Sequence, residues 1–273
     1  MYTYENHTFV ICAYKTCTFL EECIKSLLSQ TVKSDVLMST STPNDHIKNL
    51  ADKYNIPLFI NTGDTGIAED WNFALSCAET ELITLAHQDD IYKPNYTEHM
   101  LECMNKSVNP IFFFSKYGEI RNGQEVYKST LLNVKNIMCA PLNISQSSRF
   151  SKWFCMAFGD GILCPSVTYI REIIMNNLFD SDLKCSLDWE EYEKLSRIPG
   201  SIVYSNKPLV LHRIHPDAET TKFVSKNARV PEDYQMFLKF WPAPIAKILT
   251  ALYSKGERTY KNEFKNIRNN TGV

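Results

Sequence analysis

Apolar and polar positions follow two different periods over the first 100 residues. Four continuous apolar runs have the length of buried strands, and they cover 8–14, 36–41, 57–61 and the stretch that ends at Asp89. Between them, apolar residues recur at the spacing of a helix face in 19–28, 45–54 and 66–78. Strands that alternate with helices are typical of a parallel sheet covered on both faces. The pattern therefore predicts an α/β fold, with a Rossmann-like, mostly parallel central sheet flanked by helices.

The pattern after residue 105 is less regular. Further buried strands are expected at 111–115, 201–204 and 208–213. Residues 119–126 predict a hairpin that turns at Asn122-Gly123. Residues 128–152 have no clear period, so loop with a short helix is expected there.

Composition and charge indicate which kinds of partner and bound group the protein is expected to have. Of 273 residues, 44% are apolar and 22% charged, and the formal net charge is −2. Because there is no basic field, binding to nucleic acid is not expected. Nine cysteines without a Cys-x-x-Cys pair indicate reduced thiols in a cytoplasmic protein, and neither a disulfide framework nor a zinc site. Neither a signal peptide nor a transmembrane helix is expected, because no segment has their pattern.

Two adjacent carboxylates, Asp89 and Asp90, complete the fourth apolar run. In an open α/β sheet, ligands bind beyond the carboxyl ends of the strands. Paired oxygen ligands at that edge suit Mg²⁺ or Mn²⁺ carrying a nucleotide diphosphate. The alternative interpretation is a polar turn in which one aspartate caps the next helix.

Several segments, taken in order, resemble a family 2 glycosyltransferase of the GT-A fold. The nucleotide-binding half of that family is matched by 9–14 (FVICAY), 19–31 (FLEECIKSLLSQT), 66–75 (GIAEDWNFAL) and 87–90 (HQDD). The acceptor half is similar to 165–167, 187–190 and 212–216. The resemblance implies a GT-A domain over 1–222, divided into a nucleotide-sugar-binding half (1–105) and an acceptor half (106–222), with a C-terminal helical extension at 223–273.

The activity that this resemblance implies is an inverting, metal-dependent transfer of a hexosyl or hexosaminyl group. The donor is a nucleotide sugar, and the acceptor is a hydroxyl of a glycan or lipid-linked glycan, as in the biosynthesis of polysaccharides and surface glycans. Mg²⁺ or Mn²⁺ is the implied cofactor.

The resemblance also implies which residues bind the nucleotide. Ala13 and Tyr14 fall where the family borders the base, although a tyrosine at the core edge is the simpler interpretation of Tyr14. The second strand ends in 39–42 (STST), where the family usually carries acidic residues. Hydroxyls such as that of Ser39 must then contact the base, and uridine specificity is not implied. Asn72 matches a family asparagine, but Trp71 replaces the arginine that commonly precedes it, and a helix-surface amide is the alternative.

The resemblance implies that further residues contact the donor or the metal. His87 stands where the family often has the first aspartate of its motif, and we expect it to bind the donor, as a ligand of the ribose or of the metal; a buried, hydrogen-bonded histidine is the alternative. Asp89 is expected to bind donor and metal, and Asp90 metal. In the late segment, Arg213 and Lys222 are expected to bind donor and His215 metal, in a loop that closes over the diphosphate. Taken singly, the three late residues read as ordinary surface groups.

Asp188 is the expected general base, because it falls at the family's position for that group. Trp189 and Glu190 are expected to bind the acceptor, the indole by stacking on a sugar ring. The alternative is that the acidic residues only complement the dipole at a helix N-terminus.

The tail beyond Pro231 is amphipathic, aromatic and then basic. One interpretation is peripheral contact with the inner face of a membrane, where a lipid-linked acceptor is found. The other is packing on its own domain or, as a homo-oligomer, on a second subunit.

Two other classes of function were weighed against the transferase. A catalytically silent GT-A-like scaffold of a glycan-biosynthesis complex is suggested by the departures at 39–42, Trp71 and His87. A nucleotidyltransferase is disfavoured, because the loop 13–17 after the first strand contains no glycine for a phosphate-binding turn.

Overall fold

The computed structural model describes residues 1–180, 182–215 and 229–256. Within them one mixed sheet contains nine strands, in the order β3-β2-β1-β4-β8-β6-β9-β5, with β7 paired to β6. The strands are β1 (His7–Cys12), β2 (Asp35–Thr40), β3 (Leu58–Ile60), β4 (Leu82–His87), β5 (Ile91–Tyr92), β6 (Pro110–Arg121), β7 (Gln124–Val126), β8 (Thr168–Ile170) and β9 (Ser201–Arg213).

Helices cover both faces of this sheet. They are α1 (Leu20–Leu28), α2 (Asp45–Tyr54), α3 (Ile67–Ser76), α4 (Tyr96–Lys106), α5 (Thr130–Cys139), α6 (Arg149–Ala157), α7 (Arg171–Met175), α8 (Leu187–Ser196), α9 (Arg229–Phe240) and α10 (243–256). The α/β fold predicted from the alternating periods is confirmed.

Parallel pairing brings three strand ends to one edge. β1 pairs in parallel with β2 and with β4, so that Cys12 lies in register with Ser39 on one side and His87 on the other. The long ladder between β6 and β9 is also parallel, and the short antiparallel strand β8 joins it to β4. The carboxyl ends of β1, β2 and β4 therefore form a contiguous edge, where an α/β sheet binds ligands.

Successive residues of the central strand supply two separate cores. Phe9 and Ile11 of β1 belong to one apolar cluster, whereas Val10 belongs to the other, because side chains alternate across a strand. The second cluster also contains Met236 and Phe237 of α9.

The segment predicted as loop with a short helix contains two helices, α5 and α6. The side chains of Ser129 and Ser148 cap them by accepting hydrogen bonds from the backbone N–H groups of Leu132 and Ser151. Apolar residues also occupy exposed positions such as Ile137. Apolar residues on both sides of a helix blur its period, and the prediction was wrong for this reason.

The two late strands are one continuous strand, β9. Its register against β6 shifts where Ser205 pairs with Ser115 and the next partners are Lys116 and Pro208, so that 206–207 form a bulge and not a turn.

The described part of the C-terminal segment packs on its own domain. Its aromatic residues contact the second core cluster, and they are Tyr234, Phe237, Phe240, Trp241 and Tyr253. The predicted domain boundary at 222 lies outside the described residues. Among those that are described, no helix has both the length and the apolar content to cross a bilayer.

Replacing Phe237 by alanine is expected to lower the free energy of unfolding by about 3–5 kcal/mol, because the ring is fully buried between α9 and the second core. Its neighbour Leu238 is 43% exposed, and Leu238→Ala is expected to change stability by less than about 0.5 kcal/mol. Urea denaturation followed by far-ultraviolet circular dichroism measures both variants. Equal effects would contradict the shared core.

Candidate functional site

A cavity of about 1100 Å³ lies at the sheet edge formed by β1, β2 and β4. Its wall is built from the loop after β1, the end of β2, the start of α3, the end of β4 and the residues that lead into α8. Of the residues that the sequence singled out, those that line it are Ala13, Tyr14, Ser39, His87, Asp89, Asp188 and His215.

Three potential metal ligands converge at the end of β4. One ligand atom each of His87, Asp89 and Asp90 lies within 4.8 Å of the others. The strand ends at His87, and the turn that follows carries both carboxylates to the same edge. These atoms are close enough to one another to coordinate the same small cation.

Two atoms of this triad are buried without a hydrogen-bond partner among the described residues, Nε2 of His87 and Oδ2 of Asp90. Burial lowers the pKa of His87, although Asp90 and Asp89 act in the opposite direction, and the neutral ring keeps a lone pair for a ligand. Buried polar atoms are normally satisfied, so the orphaned nitrogen and oxygen fit a divalent cation held between them.

Asp89 is held by a histidine from the end of β9. Its Oδ2 atom lies 2.8 Å from Nε2 of His215. Burial acts to raise the pKa of Asp89, but the hydrogen bond with His215 and the neighbouring imidazoles outweigh burial and leave that pKa lowered. Asp89 is therefore an ionised carboxylate at the cavity wall.

Asp90 is fully buried and joins β4 to β9. Its Oδ1 atom accepts hydrogen bonds from the backbone N–H of Arg213 at 2.8 Å and from Nδ1 of His212 at 3.0 Å. Burial acts to lower the pKa of His212, yet the Asp90 carboxylate outweighs burial and raises that pKa overall. His212 also lines the cavity, and the sequence analysis assigned it no role.

The donor-binding role expected of Arg213 stays a prediction, and the structure shows which contacts this residue makes. Its guanidinium lies over the Phe19 ring at 4.2 Å, pairs with Glu22, and donates from Nε to the Asp89 carbonyl at 3.0 Å. The side chain does not line the cavity. Arg213 thus links the turn that contains Asp89 to helix α1.

Asn72, for which donor binding is predicted, hydrogen-bonds to the backbone of a distant segment. Its Nδ2 donates to the carbonyl of Phe179 at 2.8 Å, and its Oδ1 accepts from the N–H of the same residue at 3.0 Å. Trp71, the residue that departs from the family pattern, lines the cavity instead, with its ring 5.5 Å from that of His87.

The end of the cavity at β2 contains an acidic residue that the sequence analysis missed. Asp70 projects from α3 and accepts hydrogen bonds from the Ser41 hydroxyl at 2.7 Å and from Nδ2 of Asn61 at 3.0 Å. Ser39 and Tyr14 line the same end. A carboxylate thus lies where the resemblance implied hydroxyls alone, because helix α3 supplies the acid that strand β2 lacks.

Asp188 reaches the cavity from the first turn of α8. Burial raises its pKa to about 7, assisted by the nearby Asp160, while Arg229 and the backbone N–H of Trp189 act in the opposite direction. A carboxyl with this pKa exchanges a proton near neutral pH.

The chain that leads to Asp188 is fixed by α9. The Glu232 carboxylate accepts hydrogen bonds from three consecutive backbone N–H groups, those of Lys184, Cys185 and Ser186, at 2.7–3.0 Å. One turn away, Arg229 lines the cavity and pairs with Asp233 at 3.0 Å. The C-terminal segment therefore contributes to the site, which the sequence analysis did not anticipate.

The acceptor contacts expected of Trp189 and Glu190 stay predictions, and the structure places both side chains outside the cavity wall. Trp189 is fully buried, donates from Nε1 to the carbonyl of Met156 at 3.1 Å and packs on Phe237, so no face is open to a sugar. Glu190 pairs with Lys239, and neither residue lines the cavity. Consecutive residues on a helix point about 100° apart, so Trp189 and Glu190 point in other directions than Asp188. The remaining predicted residue, Lys222, lies outside the described part of the chain.

Comparison with known proteins identifies the family. The model of glycosyl transferase family 2 matches residues 8–173. An uncharacterized glycosyltransferase of Rickettsia typhi is 24% identical over 217 residues, which cover 78% of this chain and 65% of the relative. The chain spans only 33 to 38% of the length of three further Rickettsia relatives.

Solved structures show the fold. S. aureus TarS 1-349 in complex with UDP-GlcNAc is similar with a TM-score of 0.59 and 16% identity, over 91% of this chain and 71% of that one. The mannosyltransferase PcManGT from Pyrobaculum calidifontis, in complex with GDP-Man and Mn²⁺, is similar with a TM-score of 0.60 and 14% identity, over 93% and 70%. The GT-A fold expected from the sequence is confirmed.

Replacing His87 by glutamine is expected to weaken Mn²⁺ binding at least tenfold, measured by the electron paramagnetic resonance of free Mn²⁺ in the presence of a nucleoside diphosphate. The expectation follows from the loss of an imidazole ligand, since even residues that only orient a ligand contribute about 10- to 100-fold to metal affinity. His46→Gln is the matched control, because that ring contacts the Cys17 carbonyl and lies outside the triad. Equal affinities in the two variants would exclude His87 as a ligand.

Proposed function

The chain belongs to glycosyl transferase family 2, and from that premise we propose that it moves a hexosyl or hexosaminyl group from a nucleotide-sugar donor to a hydroxyl of a glycan or lipid-linked glycan, with inversion at the sugar carbon. The observation that carries the proposal is one cavity whose wall includes two members of the triad, His87 and Asp89, and also Asp188, a carboxyl with a raised pKa.

The triad is the proposed site for Mg²⁺ or Mn²⁺ and the donor diphosphate. A bound divalent cation neutralises charge that develops on a leaving diphosphate. His87 and Asp90 offer the two atoms that lack protein partners, and Asp89 offers an ionised oxygen at the wall. The complexes of TarS with UDP-GlcNAc and of PcManGT with GDP-Man and Mn²⁺ support this choice of ligand class.

Asp188 is the proposed general base. The acceptor oxygen forms a bond to the anomeric carbon while the bond from that carbon to the diphosphate oxygen breaks, and the hydroxyl proton passes to the Asp188 carboxylate. Attack from the face opposite the leaving group inverts the configuration. A pKa near 7 suits this task, because the group is then ionised in part before the reaction and basic enough to take the proton. Asp160 and Arg229 adjust that pKa in opposite directions.

Asp70 is the proposed reader of the nucleotide base. The ends of β4, β1 and β2 are neighbours, and strands lie about 4.8 Å apart, so the β2 end is roughly 10 Å from the triad. That separation suits a nucleotide whose diphosphate lies at the triad. A carboxylate has about four acceptor positions, and Ser41 and Asn61 use two of them. The remaining positions suit a base with an imide-type N–H, as in uracil, thymine or guanine.

Asp188→Asn is expected to lower turnover by about 10²–10⁴-fold, because the amide cannot take the acceptor proton. Donor binding, measured by calorimetry, is expected to stay within twofold. In the wild-type protein, the rate under subsaturating substrate is expected to rise with pH and level off above about 7, where Asp188 is ionised.

The control is Asp182→Asn, which removes a carboxylate from the exposed rim of the same cavity and is expected to leave turnover unchanged. Loss of nucleotide binding in Asp188→Asn would assign that residue a structural role. Absence of turnover in the wild-type protein with every donor that binds would favour the silent scaffold.

Calorimetry with a series of nucleotides tests Asp70. UDP, dTDP or GDP is expected to bind at least tenfold more tightly than CDP and ADP, because cytosine and adenine present a lone pair where the others present an N–H. Asp70→Leu is expected to abolish this preference, since a hydrogen bond to a charged group contributes about 1.5–3 kcal/mol. Glu69→Gln, which removes another carboxylate of the cavity wall, is the control and should keep the preference. A preference that survives in Asp70→Leu would assign base recognition elsewhere.

A further inference from the structure

Large apolar side chains are exposed together on the side of the molecule formed by α6 and α10. We call this set the apolar face, and it consists of Phe150, Phe158, Ile245, Ile248 and Leu252. Between 36% and 62% of each side chain is exposed. Isolated exposed apolar residues are ordinary, but a contiguous group of them marks a surface that binds something.

Aromatic contacts make this face continuous. The ring of Trp241, just before α10, lies 5.1 Å from that of Trp153 on α6 and 5.4 Å from that of Phe158. Nε1 of Trp241 donates to the carbonyl of Ala157 at 2.6 Å. At the other end of α10, Tyr253 lies so close to Gly159 that a Cβ atom there would come within 2.6 Å of the ring. The two helices are therefore packed on each other.

Helix α10 is apolar on two sides. Ala246 and Thr250 are buried, and Leu249 and Tyr253 pack on the second core. Ile245, Ile248 and Leu252 recur at spacings of three and four residues, which place them on one exposed stripe beside the buried side. Packing on the core explains why the buried side of α10 is apolar, but it does not explain the exposed apolar stripe.

The two stretches of chain that carry the apolar face lie between Glu125 and Asp160 and between Asp233 and Glu257, and they contain no acidic residue. Neither 126–159 nor 234–256 includes an aspartate or glutamate, although the whole chain has 31 of them against 29 lysines and arginines. The basic residues of the two segments are Lys128, Lys135, Arg149, Lys152, Lys239, Lys247 and Lys255. Arg149 and Lys247 are exposed in the segments that carry the apolar face, which therefore has a cationic rim.

We propose that the apolar face binds the surface of an anionic lipid membrane, with its apolar side chains in the interfacial layer and its cationic rim on the lipid headgroups. This combination is typical of segments that lie in a membrane interface. Basic residues near such a surface each contribute attraction to anionic lipids.

A second copy of the chain fits this face less well. A two-fold interface places the same patch on both subunits, so each cationic rim would meet another cationic rim. Like charges that face each other across an interface oppose association. Because the rim is cationic, charge complementarity favours an anionic membrane over a second copy of the chain as the partner of the apolar face.

Membrane binding on this face does not depend on the proposed activity, but it would orient the cavity. Tyr253 of α10 accepts a hydrogen bond from Nη2 of Arg229 at 3.3 Å, and Arg229 lines the cavity beside Asp188. Helix α10, which carries three residues of the apolar face, thus contacts a residue of the cavity wall.

Flotation of the full chain with vesicles tests the proposal. The wild-type protein is expected to bind vesicles of phosphatidylcholine with 30% phosphatidylglycerol at least tenfold more tightly than vesicles of phosphatidylcholine alone, and less tightly as salt is raised. The double variant Ile248→Ser/Leu252→Ser is expected to lose at least tenfold in binding to the anionic vesicles, because both side chains are 61% exposed and their loss should leave the fold intact.

The matched control is Val108→Ser/Ile60→Ser, which removes two exposed apolar side chains outside the apolar face and should bind like the wild type. Thermal unfolding of each variant checks the fold. Failure of the wild type to float with anionic vesicles, or equal binding by both double variants, would overturn the proposal. A dimer in analytical ultracentrifugation that is lost only in Ile248→Ser/Leu252→Ser would assign the face to a second copy instead. Vesicle binding needs no donor, so its outcome is independent of any assay of sugar transfer.

Discussion

The buried carboxylate of Asp90 is the interaction on which the site depends. Asp90 is fully buried, and a buried charge is costly unless it is paired and hydrogen-bonded. Its partners are the backbone of Arg213 and the ring of His212, both from the end of β9. One carboxylate therefore joins the two halves of the sheet, and its second oxygen is left without a partner among the described residues, beside Nε2 of His87. The same carboxylate therefore holds the fold together and belongs to the proposed cation site.

A second carboxylate, that of Glu232, fixes another part of the cavity wall. The Glu232 carboxylate accepts hydrogen bonds from three backbone N–H groups of the segment before α8. These bonds fix the position at which Asp188 enters the cavity. Because Glu232 belongs to α9, the C-terminal segment is part of the architecture of the site. Its helix α10 then carries the apolar face, so the same segment that positions the proposed base also faces the proposed membrane.

The sequence predicted those features that depend on local pattern. The strands β1, β2 and β4 follow from uninterrupted apolar runs, and parallel pairing then places Ala13, Ser39 and Asp89 at one edge. Features that depend on the direction of a side chain or on distant contacts were not predictable in this way. Trp189 and Arg213 have the right residue types in the right order, but packing turns one into the core and the other onto α1. Asp70 was missed because it reaches the β2 end from a helix, through a contact with Ser41 across 29 positions of the chain.

The central claim is that the end of β4 holds the cation and the donor diphosphate. The most direct measurement is an anomalous diffraction map at the manganese edge, from crystals grown with Mn²⁺ and the nucleoside diphosphate that binds best. The account predicts one manganese peak at coordinating distance from His87 Nε2 and the carboxylates of Asp89 and Asp90, with diphosphate oxygens as further ligands. A nucleotide bound in the cavity with its diphosphate away from this triad, or manganese bound at other side chains, would contradict it.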